Sequence, residues 1–261
     1  DVPRIRPGEP FVELVKPLTD AERSKVTQSI FLLAKHANPF AIDFPSSIRT
    51  LKNPDPQRFL LGYQAISYAP TIKLEDLIGE EVGESTWSEQ EKQNYLRAPG
   101  SRSANAVDNE IIHQKNPVLD AFNEDLRYKA YSQILTAGEV SPVGKALQIV
   151  NFLSKDSIYT RTPGHQVTEG GDPVAPYLFS EEKRGYCVHF SHAAVYLLRL
   201  AGIPARIGTG YLTDLTYAKD GHVLLQLGDR HAWPEIYVRG HGWVVADVQP
   251  ARAENEPSLV P

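Results

Sequence analysis

One cysteine in 261 residues excludes an internal disulfide framework, and with it any structural zinc site assembled from several thiolates. It leaves the redox compartment open, because a lone catalytic thiol works in either. Positive charge is not in surplus: 27 Lys and Arg stand against 32 Asp and Glu, a net charge of −5, so nucleic acid is not an expected partner. No apolar run approaches the roughly 18 residues needed to cross a bilayer. Methionine is absent and the first residue is Asp1. The expectation is a mature or excised piece, in which a lost leader or membrane anchor leaves no trace. Internal repeats are also missing.

What is present is an ordinary globular composition, with 41% hydrophobic and 23% charged residues. The length suits one large domain or two modest ones, each able to bury a core. The first ten residues, Pro-rich and charged, read as a tail. Thr19-Asp20-Ala21-Glu22 is a capping box ahead of Val26, Ile30, Leu33 and Ala34, and predicts a helix over residues 20–36. Four prolines between Asn38 and Pro56 predict irregular or edge-like backbone. Phe59–Tyr68 reads as a strand, and Ser88-Glu89-Gln90-Glu91 as a second capping box for a short helix. Residues 97–117 read as a polar loop or weak helix.

A clearer unit begins at Ser141-Pro142, an N-cap serine and N1 proline before the stripe Val143, Leu147, Val150 and Leu153. Thr162–Pro176, rich in Gly, Pro and Thr, reads as a surface loop. From Cys187, Phe190, Ala194, Leu197, Leu198 and Ala201 follow helical spacing until Gly202 and Pro204 stop the helix. Strand-like runs follow at Ala205–Leu212, His222–Leu227, His231–Val238 and Trp243–Asp247. One helix and then a run of strands predicts an α+β fold with an antiparallel sheet. The expected division is an N-terminal α/β extension over 1–140 and a catalytic domain over 141–261.

Cys187 stands where a turn gives way to that helix-periodic run. Its thiol is expected at a helix N-terminus, where unpaired N–H groups and the helix dipole raise the thiolate fraction. A cysteine nucleophile needs a base to take its proton, and the base needs a partner to set its tautomer. His231 opens one strand-like run and Asp247 closes the next. If the two pair through the 239–242 turn, the start of the first lies beside the end of the second, a bulge or diagonal contact settling the detail. Period two puts His231, Trp233, Glu235 and Tyr237 on one face, opposite Ala232, Pro234, Ile236 and Val238.

Each residue alone has a plainer reading: a buried small hydrophobe for the cysteine, a strand residue for the histidine, a strand end for the aspartate. His189, His192, His222 and His241 compete as bases, although positions two and five past Cys187 share its direction poorly. The combination points to Cys187, His231 and Asp247. The same set has acceptable ligand chemistry for one metal ion, but supporting partners are not evident, and no cofactor is expected.

Residues 185–250 resemble the core of the transglutaminase-like superfamily, in its bacterial branch of papain-type thiol enzymes. The resemblance is carried by Gly185-Tyr-Cys-Val-His-Phe-Ser-His-Ala-Ala194, by Leu197-Leu-Arg-Leu-Ala-Gly-Ile-Pro-Ala-Arg206 and by Gly210-Tyr211. It continues in His231-Ala-Trp-Pro-Glu-Ile-Tyr237 and in Gly242-Trp243 through Asp247-Val-Gln-Pro250. Leu178-Phe179 and Arg184 match the approach to the cysteine. The likeness is close over the last 110 or so residues and loose over the first 140. One departure is Asp247-Val-Gln-Pro, where the family commonly has Asp-Pro-Thr-Pro.

The resemblance implies a papain-like fold with Cys187 as nucleophile, His231 as general base and acid, and Asp247 as orienting carboxylate. An oxyanion hole is expected at the Cys187 N–H. Papain-type enzymes usually add an upstream Gln or Trp, and residues 177–186 offer only Lys183, Arg184 and Tyr186. The implied activity is attack on a peptide or glutamine side-chain amide. Water as second substrate makes a cysteine peptidase or amidase, an amine a transglutaminase, and a non-catalytic protein-binding module is the third reading. Family members found on extracytoplasmic parts of membrane proteins favour hydrolysis, an extracytoplasmic location, a protein or peptide substrate, and a membrane-anchored parent or partner.

Overall fold

A strand occupies the segment whose capping box predicts a helix. In the computed structural model, which describes residues 12–13, 22–36, 38–98, 117–166, 172 and 174–254, Arg23–Leu32 is extended. Most of the capping box lies outside the described residues. Val26 and Ile30, four apart, satisfy a helical period and an alternating one equally. β-Branched Val26, Thr27 and Ile30 favour the pleated surface. The decision comes from a partner: all ten residues pair antiparallel with Leu61–Pro70, from Arg23 opposite Pro70 to Leu32 opposite Leu61.

The chain divides into two compact units, Asp1–Ile72 and Lys73–Pro261. The first holds β1 (Val12–Glu13), β2 (Arg23–Leu32), β3 (Pro45–Thr50) and β4 (Leu61–Pro70) in one sheet of order β1-β3-β4-β2. Its core is Ile48, Tyr63 and Ala65, with Ile30 and Leu32 packed against them. The proline-rich stretch is thus less irregular than expected and contains a strand that is not at an edge. Pro45 is accommodated as the first residue of β3, next to a register shift before Ser47.

The second unit contains α1 (Glu89–Leu96), α2 (Pro117–Leu135), α3 (Pro142–Asp156), β5 (Ser157–Tyr159) and α4 (Ala175–Leu178). It continues with β6 (Lys183–Gly185), α5 (Cys187–Leu200), β7 (Ala205–Tyr211), β8 (Arg230–Val238), β9 (Gly242–Val245) and β10 (Arg252–Ala253). Both predicted caps are in place: Ser88 accepts from the N–H of Glu91, and Ser141 from that of Gly144. The antiparallel sheet runs β7-β8-β9, and a small parallel sheet runs β10-β5-β6.

α5 packs against α2 and α3 and against β7 and β8. Phe190, Ala193, Ala194, Leu197 and Leu198 are buried. Each fully buried large side chain among them contributes about 1.5–3 kcal/mol, so tertiary burial outweighs helix propensity in holding α5. Residues 73–98, assigned by the sequence to an extension ending at 140, are gathered into this second unit. Val82 bridges to Val238, the Gly83 N–H donates to the Tyr237 carbonyl at 2.8 Å, and the Arg239 N–H donates to that of Glu81 at 2.8 Å. Trp87 and Tyr95 pack with Tyr237 and Trp243.

His222–Leu227, expected as a strand, is not one. β7 pairs directly with β8, and the Leu212 N–H donates to the Asp229 carbonyl at 2.8 Å, closing the base of a long connection. Within it Lys219 bridges His222 around Asp220 and Gly221, both at positive φ (53° and 75°). With no strand to cover them, Leu212, Leu215, Tyr217, Leu224 and Leu227 are exposed. Most of the expected loop at 97–117 and the middle of Thr162–Pro176 lie outside the described residues, as does the N-terminal tail.

Candidate active site

Cys187 is the first residue of α5, preceded by extended Tyr186. The approach is held by sheet bonding, with the Thr160 N–H donating to the Gly185 carbonyl at 2.7 Å. Gly185 is needed for close contact: a Cβ there would lie 3.0 Å from the His189 Cβ and 3.2 Å from the Phe190 ring. The thiol is half-buried. Hydrogen bonding from His231 draws its pKa below the ordinary thiol value; burial opposes this, and the backbone N–H groups of Ala232 and Val188 assist.

The β8–β9 hairpin supplies the other two residues. Val238 lies opposite Gly242 and Glu235 opposite Val245, and the Ala246 N–H donates to the Pro234 carbonyl at 2.8 Å. Continuing that register sets Asp247 across from Trp233, so it reaches His231 diagonally. His231 Nε2 lies 2.9 Å from Asp247 Oδ2, with both side chains mostly buried (17% and 15% exposed). The other ring nitrogen, Nδ1, is then the one left for the thiol. The carboxylate hydrogen bond first, and the bond to Cys187 second, raise the His231 pKa to about 9 against the opposing effect of burial. A lowered thiol and a raised imidazole together favour the thiolate–imidazolium pair.

Ser191, one turn along α5 and buried, ties this arrangement together, its Oγ near the backbone oxygens of Cys187 and Ala232. The competing histidines stand elsewhere. His222 is exposed, its Nδ1 2.8 Å from the Asp220 carbonyl, and His241 lies in the β8–β9 turn. The His192 ring contacts the Val188 carbonyl at 2.8 Å. His189 is pushed down to about 4 by burial, then by His165 and His192, so its ring is neutral at physiological pH. Two upstream candidates for an oxyanion donor are engaged elsewhere: the Lys183 ammonium lies over Phe152, and Arg184 pairs with Glu182 and Glu254. Among the described residues, no group of three His, Cys, Asp or Glu is arranged to hold a metal ion.

Trp233 and Glu235 were visible only as members of the polar face of β8. The structure stacks Trp233 beside His231, with ring centroids 5.9 Å apart and 25° between planes, and buries Glu235. Alternation alone marks their direction but not that burial.

Residues 129–248 match the family model described as the transglutaminase-like superfamily. Over 89 residues, 33% of this chain, the sequence is 36% identical to a Pseudomonas aeruginosa protein named Protein-glutamine gamma-glutamyltransferase. Over 190 residues, 70% of this chain, it is 25% identical to the Bacillus subtilis protein YebA. These matches span 13% and 23% of the two relatives, so the chain corresponds to a small part of each. Among solved structures, the periplasmic domain of TgpA from Pseudomonas aeruginosa superposes with a TM-score of 0.54 at 19% identity, covering 88% of this chain and 73% of that one. The fold shared at that level is one of mixed helix and sheet, and in this chain it includes the antiparallel sheet β7-β8-β9. Among the described residues no helix is long and apolar enough to cross a membrane. The likeness to the transglutaminase-like superfamily thus lies in residues 129–248, the stretch that holds α3, α5 and β7–β9.

Proposed function

We propose that Cys187, His231 and Asp247 are the catalytic triad of a thiol enzyme that attacks an amide and passes through an acyl-enzyme. The observation that carries this reading is the His231–Asp247 contact of 2.9 Å, on a ring whose interaction with Cys187 draws the thiol pKa down. The Cys187 thiolate attacks the amide carbonyl carbon and the Cys187 N–H, at the open end of α5, stabilises the oxyanion. The His231 imidazolium gives its proton to the leaving amine as the C–N bond breaks, which leaves a thioester and neutral imidazole. His231 then takes a proton from the incoming nucleophile, and the thiolate departs. Asp247 holds the ring orientation and balances the imidazolium charge throughout.

With water as the nucleophile the enzyme is a cysteine peptidase or amidase, the reading placed first. The transglutaminase reading uses an amine acceptor and is favoured by the 36% identity to a protein named for glutamine gamma-glutamyl transfer. A protein or peptide substrate is supported by the exposed apolar side chains of the β7–β8 connection, which leads into β8 one residue before His231. An extracytoplasmic location is supported by the fold shared with a periplasmic domain. Mass spectrometry of a peptide library, with and without an added primary amine, tests the assignment. Cleaved peptides or glutamine converted to glutamate mean hydrolysis, and amine adducts mean transfer. No product, with a thiol that alkylates at an ordinary rate, would favour a binding module.

A further inference from the structure

We propose that Trp233, clamped by Glu235 and Arg206 on a floor of two glycines, is a positioning residue that fixes the tilt of the His231 ring and stabilises its charged form. The inference rests on the triad reading above. Its basis is a continuous set of contacts on one face of β7 and β8, none of which that triad uses.

The indole is held at its Nε1 edge and against β7. Its Nε1–H donates to Glu235 Oε1 at 2.9 Å, and Glu235 Oε2 accepts from Arg206 Nε at 2.5 Å. The Glu235 side chain is only 5% exposed, so both oxygens are occupied by donors in a place where an unpaired carboxylate would be costly. The Arg206 guanidinium in turn lies 4.3 Å over the Trp243 ring. Beneath the indole, β7 places Gly208 opposite Trp233 and Gly210 opposite His231. A Cβ at Gly208 would sit 2.4 Å from the indole Nε1 and 2.9 Å from Glu235 Oε1, and one at Gly210 would sit 3.0 Å from the indole Cη2. Neither glycine has a positive φ, so the requirement there is space for the flat ring.

This arrangement supplies what the triad contacts lack. The Asp247 contact at Nε2 holds one edge of the imidazole but does not by itself lock rotation of the ring about its Cβ–Cγ bond. A near-parallel indole, 25° from the imidazole plane, restrains that rotation. Its π-face also attracts an imidazolium more than a neutral imidazole. Cys187 and Asp247 face His231 directly, whereas Glu235 and Arg206 act through the indole.

Two readouts that need no substrate test this: NMR titration of the His231 ring, and the pH dependence of Cys187 alkylation by iodoacetamide. Wild-type protein with an unactivated thiol would overturn the triad reading itself. With an activated wild-type thiol, Trp233→Ala should lower the His231 titration and slow alkylation at neutral pH by about threefold to thirtyfold. Trp233→Phe, which keeps a ring face and loses the N–H, should recover part of both. A folded Trp233→Ala protein with wild-type titration and alkylation overturns the proposal. If Trp233→Ala does not fold, Glu235→Gln decides, with the same shifts in smaller measure expected and unchanged values overturning it.

Discussion

The buried hydroxyl of Ser191 lies 2.8 Å from the carbonyl oxygen of Ala232, and so joins the helix of the nucleophile to the strand of its base. The same Oγ is 2.6 Å from the carbonyl oxygen of Cys187, so one donor is shared between the backbones on both sides of the site. Side-chain oxygens of helical serines usually bond only within their own helix. Here the second acceptor is on β8, next to His231.

Ser191→Ala should therefore cost about 1–2 kcal/mol of stability, the range for a buried hydrogen bond whose acceptor loses its partner. Urea unfolding should show a lower midpoint with an unchanged slope. Turnover should fall severalfold, because the register between α5 and β8 sets the distance from thiol to imidazole. Unchanged stability would mean that the Ser191 hydroxyl contributes nothing net to joining the two elements.

Cys187→Ala should remove amide cleavage or transfer while leaving the thermal unfolding curve close to wild type, since a half-buried thiol at a helix start tolerates a methyl group. Retained activity in that variant would end the triad mechanism. His231→Ala should lose about 10²–10⁴-fold, the usual contribution of a general acid–base. Asp247→Asn should retain more activity than His231→Ala, because an amide oxygen can still orient the imidazole. Kinetics of the three variants on one reactive amide rank them directly.

The pH dependence follows from the two shifts. The lowered Cys187 pKa makes iodoacetamide alkylation rise with pH earlier than for an ordinary thiol. Acylation also needs the imidazolium to protonate the leaving amine. Activity should therefore rise as the thiol ionises and fall as pH passes the His231 value of about 9. Asp247→Asn removes the largest cause of the raised histidine, so its alkaline limb should move to lower pH. An alkaline limb that stays put in Asp247→Asn would mean that another group sets it.

His222→Ala and His241→Ala should keep activity within a fewfold of wild type. The first histidine is on the exposed β7–β8 connection and the second is in the β8–β9 turn. Steady-state rates of the two variants are sufficient, and a collapse in either would mean that the base is not His231.

What the sequence determined by itself was local or carried by specific strings. The Ser88 and Ser141 caps bond to backbone N–H groups three residues away, so both helix starts were legible without knowing the fold. The start of α5 at Cys187 and its end before Gly202 were equally legible. So was the closeness of His231 and Asp247, because hairpin geometry brings the start of β8 beside the residues after β9 whatever surrounds them.

The tertiary structure decided the features that depend on a distant partner. Val26 and Ile30 suit helix and strand alike, and pairing with Leu61–Pro70 selected the strand. Direct pairing of β7 with β8 left His222–Leu227 without a neighbour to bond, so an apolar run became an exposed connection. Glu235 carries the same alternation signal as the half-buried His231 and Trp233, yet it is itself buried, because Arg206 and Trp233 supply donors to both its oxygens. Short-range periodicity records which way a side chain points. Whether that direction meets water, a partner strand or a matching charge is set by contacts hundreds of atoms away along the chain.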